Sequence, residues 1–201
     1  LCEKGFLTSS CCPAFTELIR RRFPSLCKNI SSNVSPAAAV SKYIKKYDPN
    51  ARVIFIGPCI AKKAEYRRDE LRPYIDSVIT FEELQALFDG AGVDITALGE
   101  SALDNASYFG RIFARSGGLS DAVAEALRER GLDRSFTLRA VPCDGIEACR
   151  TALLKARAGR EALGGNFIEG MACTGGCIGG AGCLTHGEKN RAEVDKYGRE
   201  A

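Results

Sequence analysis

Residues 166–183 read NFIEGMACTGGCIGGAGC. The first five residues predict a short strand, and this strand leads directly into a segment rich in cysteine and glycine. The five glycines between Gly175 and Gly182 exclude a stable helix there. Cys173 and Cys177 are four residues apart and can face one bound group, which the glycine backbone can approach closely. The stretch therefore predicts a strand that ends at a metal or redox site.

Strand-like and helix-like stretches alternate along the rest of the chain. Residues 52–56 are apolar and rich in β-branched side chains, and they predict a buried strand that ends at Gly57-Pro58-Cys59. Further strands are predicted at 75–79 and 136–141, and helices are predicted to begin near residues 13, 36, 60, 81, 119, 146 and 188. Such alternation is typical of an α/β fold. We expect parallel-rich sheets flanked by helices, in two lobes. The cysteine-rich metal or redox site, the cluster site, would lie between the lobes.

The cysteine content is the unusual part of the composition. The 201 residues include 10 cysteines and one histidine. Without a sign of secretion, clustered thiols indicate metal or redox chemistry more often than disulfides. A zinc site is one alternative, although only Cys173 and Cys177 form a tight pair and His186 is the single histidine. An α/β domain whose cysteines are merely buried is another, and we expect Cys143 and Cys149 to be buried in this way.

Charge and hydropathy argue against two classes of partner. The net charge is +3, and most basic residues are scattered, which does not favour nucleic-acid binding. No stretch approaches the roughly 18 consecutive apolar residues of a membrane helix, and the first residues lack a signal pattern. We therefore predict a cytoplasmic protein with no nucleic-acid partner and no membrane span.

Four cysteines lie where predicted elements begin or end. Pro13 suits the first turn of a helix, so Cys12 is expected at a helix N-terminus, where a thiolate is favoured. Cys59 follows a strand at the sheet edge where α/β folds place their ligands, and Lys62 lies one helical turn further on. Together with Cys173 and Cys177 they make four thiolates, the ligand set of a [4Fe-4S] cubane.

Three motifs resemble, in order, the signatures of the [FeFe]-hydrogenase catalytic domain. Residues 9–15, SSCCPAF, resemble the family's TSCCPxW, and residues 57–65, GPCIAKKAE, resemble MPCxxKxxE. Residues 169–177, EGMACTGGC, match ExMACxxGC in full. The chain departs from the commonest family pattern where Thr, Trp, Met and Gln are replaced by Ser9, Phe15, Gly57 and Ala37. These departures suggest a divergent branch with a roomier, less polar pocket.

The resemblance implies an H-cluster and a role for each site residue. The [4Fe-4S] cubane would be held by Cys12, Cys59, Cys173 and Cys177. Cys177 would also bridge to a diiron unit that carries CO, cyanide and a bridging dithiolate. Cys11 would be the proton-relay thiol, Lys62 would donate to a cyanide, and Met171 would pack against the diiron unit. The implied reaction is 2H⁺ + 2e⁻ ⇌ H2.

The same resemblance implies the domain organisation and the partners. Residues 1–201 would be part of a hydrogenase catalytic domain whose N-terminal part is absent. Ferredoxin or accessory iron–sulfur domains would exchange electrons with it, hydrogenase maturation proteins would assemble the cluster, and protons and H2 would be the substrates. Two other functions stay open: a non-enzymatic Narf-like iron–sulfur protein without a diiron unit, and a sensory hydrogenase domain. Cys11 and Lys62 favour the enzyme, because a cubane alone has no use for either.

Overall fold

The computed structural model describes residues 5–99, 101 and 106–200. The strands are β1 (Leu7–Thr8), β2 (Ile54–Ile56), β3 (Ser77–Ile79), β4 (Ala140–Asp144) and β5 (Phe167–Met171). The longer helices are α1 (Pro13–Arg22), α2 (Pro36–Tyr47), α4 (Phe81–Ala91), α6 (Gly118–Glu129), α7 (Ile146–Ala158) and α9 (Lys189–Gly198). Short helices are α3 (Ala61–Glu65), α5 (Tyr108–Ile112) and α8 (Arg160–Leu163), and 3-10 turns cover Pro24–Asn29, Ile95–Ala97 and Cys177–Gly179. The predicted α/β class with parallel sheets and flanking helices is confirmed.

The larger sheet has three parallel strands in the order β1-β5-β4. Strand β5 lies in the middle, and all five of its residues are buried. Helices α1 and α7 pack on this sheet and contribute Phe15, Ile19 and Leu153, each fully buried, to one continuous apolar core. The strand predicted from residues 166–170 is therefore the centre of the molecule's main core.

The smaller sheet pairs β2 and β3 in parallel, with Ile54 opposite Ser77 and Ile56 opposite Ile79. The prediction of a buried strand over 52–56 was wrong in one respect, because Ile54 is 55% exposed and Ile56 is 43% exposed. Side chains alternate along a strand, and Phe55, on the other face, is half-buried. In the described ranges this sheet has two strands, so half of the apolar run lies on an uncovered face.

Local capping signals placed the helix starts correctly. The Ser35 hydroxyl accepts the Ala38 N–H at 3.3 Å, one residue before Pro36 begins α2. Thr80 and Glu83 form the predicted capping box at the start of α4. The helix expected after residue 188 is α9, and most of the loop expected at 100–105 lies outside the described residues.

The strand predicted at 136–141 begins later, at Ala140, and continues to Asp144. The reason is a long-range contact made by Asn166, which precedes β5. Its side-chain amide donates to the Thr137 carbonyl at 2.8 Å, and its side-chain oxygen accepts the Arg139 N–H at 2.8 Å. Because a side chain occupies these backbone groups, the ladder with β5 starts only at Ala140.

No helix in the described part of the chain has the length and apolarity needed to cross a membrane.

Candidate functional site

Four cysteines predicted from the sequence line one cavity of about 110 Å³ between the two sheets. They are Cys12, Cys59, Cys173 and Cys177, and Met171 joins them in the wall. The remaining lining residues are small or apolar: Ala14, Ile60, Ala61, Ala172, Gly176, Gly180 and Ala181. Residues from three distant parts of the chain thus converge on a single thiol-lined space.

Cys12 is positioned by the larger sheet and by the start of α1. It is the N-cap residue of α1, with extended backbone and Pro13 in the first turn, as predicted. Just upstream, the Ser9 hydroxyl accepts the Gly170 N–H of β5 at 3.0 Å, which ties the cysteine pair to the central strand. Phe15 packs flat on Gly170, and a Cβ at this glycine would lie 2.3 Å from three ring atoms. The strand and the helix therefore fit only because residue 170 has no side chain.

Cys59 follows β2, in the smaller sheet. The Lys62 N–H donates to the Cys59 carbonyl at 3.3 Å, which places Lys62 one turn after the cysteine, as predicted. The neighbouring Pro58 carbonyl accepts the Gly182 N–H at 2.9 Å. The glycine-rich segment from the larger sheet thus reaches across and binds the loop that carries Cys59.

Cys173 and Cys177 lie in that glycine-rich segment, directly after β5. The Cys177 N–H donates to the Ala114 carbonyl at 2.7 Å, and the Ser116 N–H donates to the Gly175 carbonyl at 3.0 Å. A Cβ at Gly176 would lie 2.5 Å from the Ser116 nitrogen, and one at Gly180 would lie 2.5 Å from the Pro58 oxygen. The sequence interpretation assigned these glycines to contact with an inorganic group. At both positions the close protein neighbour is backbone, so these glycines are needed for chain packing. Both also line the cavity, and their contact with an inorganic group stays a prediction.

Cys11 and Lys62 lie next to each other, beside the residues that line the cavity. The Lys62 ammonium donates to the Cys11 carbonyl at 3.3 Å and to Glu65 Oε2 at 2.5 Å. The side chains of Lys62 and Glu65 are 11% and 7% exposed, so this is a largely buried ion pair. Sequence reasoning missed Glu65 as the partner of Lys62, although the second motif contains both residues three positions apart, the spacing that lets helical side chains meet.

Burial raises the pKa of four thiols at the site, those of Cys11, Cys59, Cys173 and Cys177. Burial raises the pKa of Cys177 to about 12, and the neighbouring Cys12, Cys11 and Cys59 raise it further. Burial likewise raises the pKa of Cys11 to about 12, although the Lys62 charge and a hydrogen bond with Ser9 oppose the shift. The pKa values of Cys59 and Cys173 are also raised, first by burial. Metal ligation at this site would therefore release protons from the thiols.

The three remaining buried cysteines do not line the cavity. Cys143 and Cys149 are 2% and 0% exposed, which confirms the prediction that they are core residues. Cys183 is also buried, and its thiol donates to the Ile178 carbonyl at 3.2 Å. The structure thus separates the four cavity cysteines from thiols that serve packing.

A family model described as the iron only hydrogenase large subunit, C-terminal domain, matches residues 2–181. The chain belongs to this family. Among curated relatives, the periplasmic [Fe] hydrogenase large subunit of Nitratidesulfovibrio vulgaris is 28% identical over 87% of this chain and 50% of its own length. The chain therefore spans half the length of this hydrogenase relative.

Structural comparison agrees on the fold. A variant of the apo [FeFe]-hydrogenase HydA1 from Chlamydomonas reinhardtii superposes with a TM-score of 0.67 and 21% identity. The match covers 96% of this chain and 65% of that chain. The chain is also similar to a cytosolic Fe-S cluster assembly factor, NAR1 from Eremothecium gossypii, at 28% identity. This match covers 50% of this chain and 22% of the assembly factor. The hydrogenase matches thus extend over far more of the chain than the assembly-factor match.

The geometry of the four-cysteine cavity suits an iron–sulfur cluster better than a single ion. A tetrahedral zinc ion needs its ligands within about 2.3 Å of one point. Within residues 5–99, 101 and 106–200, no three His, Cys, Asp or Glu side chains converge closely enough to hold one metal ion. The four thiols instead surround a cavity, as ligands of a bulkier iron–sulfur group must. The donor set and the apolar wall fit the iron–sulfur cofactor of the family, and they disfavour the zinc alternative.

Glu169 opens the third motif, and its role was not predicted from the sequence. It is fully buried, and its carboxylate accepts the Gly117 N–H at 2.8 Å, the Ser120 N–H at 2.8 Å and the Ser120 hydroxyl at 2.5 Å. It therefore joins β5 to the first turn of α6. A charged residue inside a strand that is otherwise apolar was the available signal.

Proposed function

We propose that this chain is the cluster-binding part of an [FeFe]-hydrogenase catalytic domain, with the reversible reaction 2H⁺ + 2e⁻ ⇌ H2. The observation that carries the proposal is the convergence of Cys12, Cys59, Cys173 and Cys177 on one apolar cavity. Family membership, shown for residues 2–181, supports it. Because the chain spans half of its curated relative, residues 1–201 are proposed to form part of the family's domain.

In this proposal the four cysteines would hold the cubane, and Cys177 would also hold the diiron unit with its CO, cyanide and dithiolate ligands. When bound, the cofactor supplies the redox chemistry that interconverts protons, electrons and H2. The protein holds the cofactor from both sheets and excludes water with side chains such as Met171, which is 2% exposed and lines the cavity. Met171 is proposed to pack against the diiron unit.

Cys11 is proposed to carry the proton. Adjacent residues do not easily direct both side chains to one group, and here Cys12 lines the cavity while Cys11 does not. The raised pKa of Cys11 keeps its thiol protonated, and Lys62 and Ser9 lie close enough to ease transient loss of that proton. A partly buried thiol in these surroundings suits a relay that gives up a proton and takes another at the same sulfur.

Lys62 is proposed to donate a hydrogen bond to a cyanide of the diiron unit. An ammonium has three N–H donors, and two of them go to Glu65 and to the Cys11 carbonyl. The Glu65 carboxylate fixes the position of the ammonium within the protein. The third donor is then available to an anionic ligand.

The decisive experiment is anaerobic reconstitution with iron and sulfide, followed by iron and acid-labile sulfide analysis and EPR. We expect a reducible [4Fe-4S] signal in the wild type and its loss in Cys173→Ser. Cys27→Ser is the matched control, because Cys27 is exposed and does not line the cavity. A wild type that takes up no cluster, or a Cys173→Ser protein that keeps its cluster unchanged, would contradict the proposal.

The second candidate is a Narf-like iron–sulfur protein without a diiron unit, favoured by the similarity to the NAR1 assembly factor. Maturation of the longest available form of the protein with a synthetic diiron precursor separates the two. Infrared bands of CO and cyanide, lost in Cys177→Ser, support the hydrogenase. Cubane signals alone support the second candidate.

The proposal includes partners and location. Ferredoxin or an accessory iron–sulfur domain would exchange electrons with the cubane, and hydrogenase maturation proteins would deliver the diiron unit. The cytoplasm stays a prediction, and one relative is named a periplasmic enzyme. A sensory role would show as very low turnover in a protein with a signalling domain.

A further inference from the structure

The loop that carries Cys177 is held by the segment Ala114–Gly118, hereafter the strap. The Cys177 N–H donates to the Ala114 carbonyl at 2.7 Å, and the Ser116 N–H donates to the Gly175 carbonyl at 3.0 Å. Arg115 and Gly176 form an antiparallel bridge between these two bonds. Since Gly176 has no room for a Cβ against Ser116, the loop and the strap fit at only one separation. The position of Cys177 thus depends on the position of the strap.

The strap is in turn held by α9, which lies after the residues matched by the family model. Arg115, with a side chain 9% exposed, donates from Nε to Asp195 Oδ1 of α9 at 2.6 Å. Its Nη2 donates to Asp121 Oδ2 of α6 at 2.9 Å. A buried guanidinium with two carboxylate partners has a fixed orientation, so Arg115 joins the strap to both helices.

Two further contacts place α9 at the same site. Gly198 of α9 packs on Ile112, whose Cγ2 would lie 2.6 Å from a Cβ at that position, and Ile112 ends the helix that leads into the strap. At the other end of α9, the Asn190 side-chain amide donates to the Ile178 carbonyl at 3.2 Å. Helix α9 therefore contacts the Cys177 loop directly through Ile178 and indirectly through the strap.

We propose that α9 positions the Cys177 ligand, with Asp195 and Asn190 as its positioning residues. From the sequence this helix is a charged tail without a chemical signal, and the contacts above give it a role in the cluster site. The effect of α9 on a bound cofactor rests on the proposed function. Its geometric part, the restraint of the Cys177 loop, stands on the protein contacts alone.

The test compares Asp195→Asn with Glu193→Gln. Both changes are close in shape and remove one negative charge from α9, but Glu193 is exposed, whereas Asp195 binds Arg115. Asp121 still pairs with Arg115 in the Asp195→Asn variant, which guards against global unfolding. Asn190→Asp is a second variant, because it removes the donor to Ile178 while keeping the shape of the side chain.

The first readout needs no cofactor. Hydrogen exchange by NMR on cluster-free protein should show the Cys177 and Ser116 amides exchanging about tenfold faster in Asp195→Asn, because a local restraint is lost. The same amides should be unchanged in Glu193→Gln, and the Ile168 amide of β5 should be unchanged in both variants. Equal protection of Cys177 in all three proteins would overturn the proposal, whether or not a cluster binds.

The second readout uses protein reconstituted with iron and sulfide. In Asp195→Asn and Asn190→Asp we expect cluster loss to a chelator to be several-fold faster, and the cubane's EPR g-values to shift. Glu193→Gln should match the wild type in both respects. A wild type that takes up no cluster would count against the proposed function and leave the exchange measurement to decide the role of α9. A cluster with identical g-values and stability in all variants would overturn the role of α9 at the cofactor.

Discussion

The two sheets hold their cysteines in different ways. Strand β5 of the three-stranded sheet is buried along its whole length and carries Cys173 two residues beyond its end. Strand β2 of the two-stranded sheet exposes Ile54 and Ile56, and it carries Cys59 three residues beyond its end. Both cysteines follow the carboxyl end of a parallel strand and reach the same cavity. One topological rule therefore brings cysteines to the same cavity from a fully buried strand and from a half-exposed one.

The largest effect is expected where β5 meets α1, at Gly170→Ala. The new methyl group would lie 2.3 Å from the ring of the fully buried Phe15, so either the helix or the strand must move. We expect a loss of about 4 kcal/mol in the free energy of unfolding, measured with urea. Gly90→Ala in α4 is the control, because a Cβ there meets nothing within 4 Å. It should leave the free energy of unfolding unchanged or raise it by up to about 1 kcal/mol.

Truncation of one isoleucine in each sheet tests the comparison directly. Ile168 in β5 is 0% exposed, whereas Ile54 in β2 is 55% exposed. We expect Ile168→Ala to lower the free energy of unfolding by about 3 kcal/mol, and Ile54→Ala to lower it by less than about 1 kcal/mol. Chemical denaturation of both variants measures the difference. Equal costs would mean that something covers the face of β2 in solution.

Glu169→Gln tests the link between the larger sheet and α6. The amide keeps the shape of the side chain. Its NH2 group, however, would face the Gly117 and Ser120 N–H donors, which bind the carboxylate in the wild type. We expect a loss of about 2 kcal/mol in the free energy of unfolding, because buried N–H groups lose their acceptor. Glu147→Gln on the exposed face of α7 is the control and should change little. A Glu169→Gln variant as stable as the wild type would show that the carboxylate is dispensable.

The smallest effect is expected in the smaller sheet, where the local stability of β2 should depend on pH. The Val53 N–H, followed by Arg52, lowers the pKa of Asp76 to about 2. Because the folded pKa lies below the unfolded one, Asp76 supports the start of β2 and β3 above about pH 4 and loses that role as pH falls through about 2. The protection of the β2 amides, corrected for the intrinsic pH dependence of exchange, should therefore fall on acidification. At neutral pH the β2 amides of Asp76→Asn should exchange faster than those of the wild type, and their corrected protection should lack this acid-dependent step.

The sequence predicted those features that local chemistry controls. Helices begin at Pro13, Pro36 and Phe81 because proline and capping side chains act on backbone groups nearby. The start of β4 was misplaced because Asn166, 27 residues from Arg139, occupies the backbone of the predicted strand. The exposure of β2 depends on how many strands join it, which its own residues do not encode.

Prediction of the site likewise succeeded where the signal is local and failed where the contact is long-range. The four cavity cysteines were found because motifs mark them and because each lies at the end of an element. The strap was missed, since Arg115 and Asp195 are 80 residues apart and neither belongs to a motif. The backbone contacts of Gly176 and Gly180 were not foreseen, because the sequence does not say which distant segment packs against a glycine; their expected contact with an inorganic group stays a prediction, and both line the cavity.

The glycine-rich segment follows β5 of the larger sheet and binds the loop after β2 of the smaller sheet through the Gly182–Pro58 hydrogen bond, and it also supplies wall residues and two cysteines to the cavity. Separating the two sheets would therefore open the cavity. A cofactor held by all four thiols would bind only the closed arrangement and would stabilise it by mass action. Chelation of iron would then act on this protein as a local denaturant, loosening the junction between the sheets before either sheet unfolds.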